Sequence, residues 1–183
     1  MIHLNDQSTD ILRDSDLAIT LADPSSPDCA LILANERFAE ITGYTEHSAL
    51  GHNCRFLQCA ETSRDDARKI STAIARRAPI ARCLRNQRKS GEKFWNLLTI
   101  STVWYGEKPL VIGCQHDLGV SPSHRDVKAY NEQLFTLIER VSIRRPLSWG
   151  LISNSIQMQA MSVFMMARPT IVRSAETSAE DET

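Results

Sequence analysis

Residues 80–117 read IARCLRNQRKSGEKFWNLLTISTVWYGEKPLVIGCQHD. Three β-prone runs, Ile80 to Asn86, Lys93 to Trp104 and Pro109 to Asp117, are separated by Arg88-Lys89-Ser90-Gly91 and Tyr105-Gly106-Glu107-Lys108, both suited to hairpin turns. Side chains alternate across a strand, so Asn86 shares a face with Leu84, Asn96 with Leu98 and Ile100, and Gln115 with Gly113 and Val111. Each strand therefore turns an amide and apolar groups to one side, the composition of a ligand pocket.

Upstream, Leu17 to Ala22 and Ala30 to Ala34 read as short apolar strands joined by the turn-rich Asp23-Pro24-Ser25-Ser26-Pro27-Asp28. Asn35 can cap a helix over Glu36 to Thr42 that Gly43 ends, and Thr45-x-x-Ser48 opens a second short helix. Between Thr62 and Ala78, Ala67, Ile70, Ala73 and Ile74 recur at helical spacing, with Pro79 as the stop. The order, two strands, helices, three strands, predicts an α+β domain: a five-stranded antiparallel sheet with helices on one face. Its expected organisation is an N-terminal extension (1–16), a core (17–118), a C-terminal helical extension (119–167) and a disordered acidic tail (168–183). In the third segment Val127, Tyr130, Leu134, Leu137 or Ile138, and Val141 mark an amphipathic helix, followed by a methionine-rich apolar stretch from Leu147 to Ala167.

The 183 residues carry 21 basic and 22 acidic side chains, so no whole-molecule field favours nucleic acid or an anionic membrane. Within residues 124–167 basic residues cluster only at Arg140 and Arg144-Arg145, too few for the phosphate footprint of a helix-turn-helix, and nucleic acid is not an expected partner. Met158 to Ala167, the most apolar run, is far shorter than the roughly 20 residues a bilayer span requires. Five cysteines without C-x-x-C spacing fit reduced thiols and a cytoplasmic location. His52 and His116 lie in no metal-ligand spacing, and no metal is expected.

Gly51-His52-Asn53-Cys54-Arg55-Phe56-Leu57-Gln58 resembles the cysteine-bearing motif of light-oxygen-voltage (LOV) domains of the PAS superfamily. Asn35-Glu36-Arg37-Phe38 and Thr42-Gly43-Tyr44 are similar to the family's preceding segment. Asn86, Lys89-Ser90-Gly91, Phe94-Trp95-Asn96 and Gly113-Cys114-Gln115 are similar to its later strands, and the match runs over residues 17–118. The resemblance implies a PAS fold, a flavin chromophore (FMN, with riboflavin or FAD left open), and blue-light sensing by a reversible bond from Cys54 to flavin C4a. By the same resemblance Asn53 and Gln58 bind the ribityl chain, Arg55 pairs with the phosphate, Phe38 walls the pocket, and Gln115 is the signal switch beside N5. The pyrimidine edge of isoalloxazine alternates donors and acceptors, and the carboxamides of Asn86, Asn96 and Gln115 can supply both.

Three departures bear on the pocket. Ser71 stands where long-lived members carry a second phosphate-pairing arginine, for which Arg64 or Arg68 could substitute if turned inward. Thr20 replaces a bulky aliphatic and Val111 an aromatic, so faster dark recovery is expected. Cys29, Cys59, Cys83 and Cys114 are read as bystanders. The expected function is a photosensory flavoprotein without an effector enzyme, signalling by helix rearrangement or change of oligomeric state. Its expected partners are a second copy of the chain, met through the terminal helices, and an unknown downstream protein. A flavin redox sensor and a non-photoactive PAS interaction module are the competing readings.

Overall fold

The computed structural model describes residues 6–105, 107–119 and 124–141, together with Ala160, Met165 and Ile171. In chain order the elements are α1 (Asp6–Arg13), β1 (Ala18–Ala22), β2 (Leu31–Ala34), α2 (Glu36–Thr42), α3 (Glu46–Ala49), α4 (Arg64–Ala75), β3 (Ile80–Gln87), β4 (Lys93–Tyr105), β5 (Lys108–Asp117) and α5 (His124–Val141). The strands form one five-stranded antiparallel sheet, as the strand pattern predicts, and their order in it is β2-β1-β5-β4-β3.

Alternation divides the sheet into two faces. Ile19, Leu21, Leu97, Ile112 and Cys114 point to one side, where α1 supplies Leu12 and α5 supplies Tyr130, Leu134 and Leu137 to a shared buried cluster. Ala18, Ala22, Ile80, Ile100 and Val111 point to the other side, where they meet Phe38 of α2 and Ala73 of α4. Ala160 and Ile171 are buried in the first cluster; Ile171 falls in the stretch expected to be a disordered tail. The rest of that tail, and the methionine-rich segment apart from Ala160 and Met165, lie outside the described residues.

Asn35 connects the first half of the fold. It is 2% exposed, and its Oδ1 accepts from the backbone N–H of Ile19 (2.9 Å) and of Phe38 (3.1 Å), the second bond capping α2. Its Nδ2 is shared among the carbonyls of Leu12 (3.1 Å), Ser15 (3.2 Å) and Leu17 (2.8 Å). One side chain thus satisfies the end of α1, the entry to β1 and the start of α2. Gly43, at φ 75°, ends α2 in the left-handed conformation glycine adopts without penalty, and Lys89 Cβ lies only 3.3 Å from where a Cβ on Gly43 would be.

Three local features depart from the expectation. The helix between Thr62 and Ala78 is shorter, because Ser63 caps it through the N–H of Asp66 and Arg77 turns the chain at φ 53° before Pro79 is reached. The loop joining β1 and β2 contains a 3-10 turn, Pro27–Cys29, in which Asp28 and Cys29 both have positive φ (63° and 51°). A second 3-10 turn, Cys54–Leu57, was not expected; Asn53 caps it by accepting from the N–H of Arg55.

On the α5 side, His116 stacks on Tyr130 with ring centroids 4.5 Å apart. Burial, reinforced by Arg37 and opposed by Asp117 and Asp126, holds the His116 pKa below its ordinary value.

Replacing Asn35 by Ala is expected to cost about 4 kcal/mol, since each net hydrogen bond contributes about 1 kcal/mol and the orphaned buried groups cost more. Urea unfolding measures this, and Asn35→Asp, which keeps the acceptor and loses the donor, should recover only part of the loss. For His116 the unfolded state binds more protons, so its share of stability is complete above the ordinary pKa of about 6.5 and is lost as pH falls below it. Amide exchange in α5, corrected for intrinsic rate, should accelerate between about pH 7.5 and pH 5.5, and His116→Gln should remove the dependence.

Candidate functional site

The face of the sheet turned away from α5 carries an unusual row. Register places Ile80 opposite Ile100, Ile100 opposite Gly113, and Gly113 opposite Thr20, so one row across four strands contains a residue without a side chain at its centre. A Cβ on Gly113 would lie 2.8 Å from Thr20 Oγ1 and 3.4 Å from Gln115 Nε2. The space there is taken up by Thr20, and the row borders a cavity of about 180 Å³ between the sheet, α4 and the Cys54 turn. That is comparable to the space of about 150 Å³ that admits a single benzene ring, so the cavity has room for an aromatic ring.

Amides gather at one end. Asn86 and Asn96 are 2% and 1% exposed, and Asn96 Nδ2 donates to Asn86 Oδ1 at 2.9 Å. Gln115 Nε2 donates to Thr20 Oγ1 at 3.4 Å, and Thr20 Oγ1 donates to the Gly113 carbonyl at 3.3 Å. The remaining oxygens, Asn96 Oδ1 and Gln115 Oε1, are buried without a partner among the described residues. Buried carbonyl oxygens in that condition are costly, so the cavity is built for a ligand that brings N–H donors to this end.

Leu84, Leu98, Ile100 and Val111 line the apolar sides together with Thr20 and Gly113, as the two-residue period of the strands predicts. Cys54, Asn53, Arg55 and Gln58 line the cavity from the opposite wall, and a bridge between Gln58 and Asn86 ties that wall to β3. Burial pushes the Cys54 thiol up to about 12, so the group is a neutral S–H at physiological pH and not a standing thiolate.

Some placements correct the sequence reading. Phe38 is fully buried in the core cluster of this face but is not among the lining residues; it packs behind the wall. Cys29, read as a bystander, lines the cavity, because the positive-φ turn carries it there. Neither Arg64 nor Arg68 takes the place left by Ser71: both are exposed, and Arg68 pairs with Asp65 at 2.5 Å, while Ser71 itself lines the cavity. Cys59 has a structural role: its Sγ donates to the Arg85 carbonyl at 3.6 Å, and its N–H donates to Thr62 Oγ1 at 2.9 Å. The sequence reading did not assign Ala67, Ile70 and Ile74 of α4 to the site, although their shared apolar face was the available signal.

A family model described as PAS domain matches residues 16–119. Blue-light-activated histidine kinase 1 of Erythrobacter litoralis (strain HTCC2594) is 41% identical over 91 residues, 50% of this chain and 25% of that protein. The blue-light photoreceptor of Listeria monocytogenes serovar 1/2a is 36% identical over 132 residues, 72% of this chain and 51% of that protein. The chain thus spans about a quarter and about half of the length of these curated relatives. The crystal structure of the Rhodobacter sphaeroides LOV protein is similar with a TM-score of 0.78 at 28% identity, covering 88% of this chain and 95% of that one. No helix among the described residues is long and apolar enough to cross a membrane.

Because its thiol is held neutral, Cys54 should resist alkylation. At pH 8 its iodoacetamide rate, followed by mass spectrometry of the peptide, is expected to be about a thousandfold below that of a free cysteine of pKa about 8.5. The rate should rise about tenfold per pH unit across pH 7 to 9, as the thiolate fraction does.

Proposed function

The chain belongs to the PAS domain family, in its light-oxygen-voltage class, and from that premise we propose that it is a blue-light receptor holding a flavin, FMN or riboflavin, in this cavity. The supporting observation is the pair of buried, unpartnered amide oxygens, Asn96 Oδ1 and Gln115 Oε1, in a cavity that the Cys54 thiol also lines. A flavin edge carries an N–H donor between two carbonyl acceptors, and the amides of Asn86, Asn96 and Gln115 are the complementary set. Gly113 allows the close approach of Thr20, and Leu84, Leu98, Ile100 and Val111 line the cavity beside them with apolar surface for a flat ring. Asn53 and Gln58 would hold the ribityl chain, and Arg55 would face its end.

Bound flavin supplies the absorption of blue light and a ring carbon that a thiol can join while its proton passes to the adjacent ring nitrogen. Cys54 brings both atoms itself, since burial keeps its sulfur protonated, and no further oxidant or reductant enters the balance. Gln115 reads the change, because its amide can donate or accept according to the state of that nitrogen. It lies in β5 between Cys114, which is buried in the α5-side cluster, and His116, which stacks on Tyr130. Light would shift α5 between two packings, with helix rearrangement or a change of self-association as the output. The small side chains of Thr20 and Val111, with Ser71 at the outer end, favour rapid return in darkness.

An absorption spectrum tests the proposal. The protein should show a structured blue band that bleaches on illumination and recovers in darkness, and Cys54→Ala should keep the flavin and lose the bleaching. Gln115→Leu should keep the bleaching but lose the light-induced change of amide exchange in α5. A retained flavin that never bleaches would point to redox sensing, and a protein that takes up no flavin to a PAS interaction module.

A further inference from the structure

The chain leaves the sheet for α5 at Asp117, and an arginine 29 residues earlier holds that exit. Arg88 Nη2 donates to Asp117 Oδ2 at 2.5 Å, with the two side chains 18% and 27% exposed. Its Nη1 donates to the carbonyl of Ile41 in the last turn of α2, and its Nε donates to Glu92 Oε2 at 3.1 Å across the β3–β4 turn. The guanidinium also lies 4.3 Å from the centre of the Phe94 ring, which covers its planar face. Each of its three nitrogens is thus engaged by a different segment, and neither Arg88 nor Asp117 lines the cavity.

Asp117 divides its oxygens between this clamp and the chain that follows. Oδ2 takes Arg88, while Oδ1 accepts from the N–H of Gly119 at 2.9 Å. Gly119 stands at φ 59°, and the N–H of Leu118 donates to the Trp95 carbonyl at 2.9 Å. These bonds set the direction in which the backbone turns from β5 toward His124, where α5 begins. Among the described residues α5 itself is docked by Tyr130, Leu134 and Leu137, through apolar burial that has no directional preference. A helix held in that way can shift on its bed, whereas charge-assisted bonds in a half-buried fork fix the point from which it starts.

We propose that Arg88 is a positioning residue for α5: through Asp117 it holds the exit from β5 in the orientation that keeps the helix docked in darkness. It thereby sets the position from which light has to move α5. The inference rests on the light-receptor reading only in treating α5 as the output, since the docking is measured without illumination.

Amide exchange of α5 in darkness, compared with exchange of the Leu97 and Ile112 amides in the sheet, tests this. Arg88→Met keeps an apolar stem on Phe94 and removes the cation; α5 exchange should rise about tenfold while the sheet amides stay within about twofold of wild type. Asp117→Asn keeps an acceptor for Gly119 and weakens the pair, and should raise α5 exchange about threefold. The double variant should exchange no faster than Arg88→Met alone, because both changes break one clamp. On illumination the blue band should bleach in Arg88→Met as in wild type, with less than about a twofold further rise in α5 exchange. Unchanged dark exchange of α5 in Arg88→Met overturns the inference. Equal acceleration of α5 and sheet also overturns it, since that marks a brace of the whole fold, as do additive effects in the double variant. A chain that takes up no flavin, or a wild-type α5 that ignores light, sinks the light-receptor reading instead, and the dark comparison still decides whether Arg88 holds the helix.

Discussion

The fold depends on a buried asparagine. Asn35 follows the strand at the edge of the sheet, and its carboxamide joins three segments that share no regular hydrogen-bond ladder: the end of α1, the entry to β1 and the first turn of α2. A buried amide left without partners is costly, so these segments are held in one arrangement or the site is lost. Phe38 and Thr42, fully buried on α2, and the left-handed Gly43 are placed by that cap, and Gly43 in turn packs on Lys89 in the β3–β4 turn. Arg88 extends the same link, donating to the Ile41 carbonyl and to Asp117 Oδ2 while its guanidinium lies 4.3 Å above the Phe94 ring. The cavity wall and the sheet floor are thereby connected through polar contacts as well as apolar packing.

The sheet divides two chemistries between its faces. Toward the cavity it offers amides, a hydroxyl and a missing side chain; toward α5 it offers aliphatic groups, Cys114 and an imidazole kept neutral by burial. Strand β5 contributes to both in alternate residues, Gly113 and Gln115 on one side, Cys114 and His116 on the other. A displacement of the Gln115 backbone cannot leave its neighbours in place, so the cavity face and the α5 face share one stretch of strand.

Much of this was legible in the sequence, for identifiable reasons. The strands announce themselves through alternation, and alternation also predicts which of their side chains share the cavity, from Leu84 to Gln115. Asn35 and Gly43 occupy caps whose chemistry is local. What escaped was set by backbone conformation or by distance along the chain. Cys29 reaches the cavity through two consecutive positive φ angles that no periodicity signals, and Phe38 is one helical position that only the packed structure places behind the wall. The Asp28–Arg55 pair joins a loop to a turn 27 residues later, and nothing in either segment alone marks the encounter.

The pairing of β1 with β5 has a consequence for how the molecule is made. Ala18 lies opposite Gln115 and Ala22 opposite Val111, so the middle of the sheet closes only when the ends of the domain meet. Local pieces, the β1–β2 hairpin with its asparagine cap and the β3–β4–β5 meander, can form as the chain emerges from the ribosome. The seam between them carries the loop-closure entropy of nearly the whole domain and is the slow, non-local step. Thr20 and Gly113 face each other across that seam, so the cavity floor does not exist until synthesis has passed β5. A small molecule that binds there cannot template the early fold; it can only capture the finished one, and its abundance in the cell then governs how much of the newly made chain is held closed.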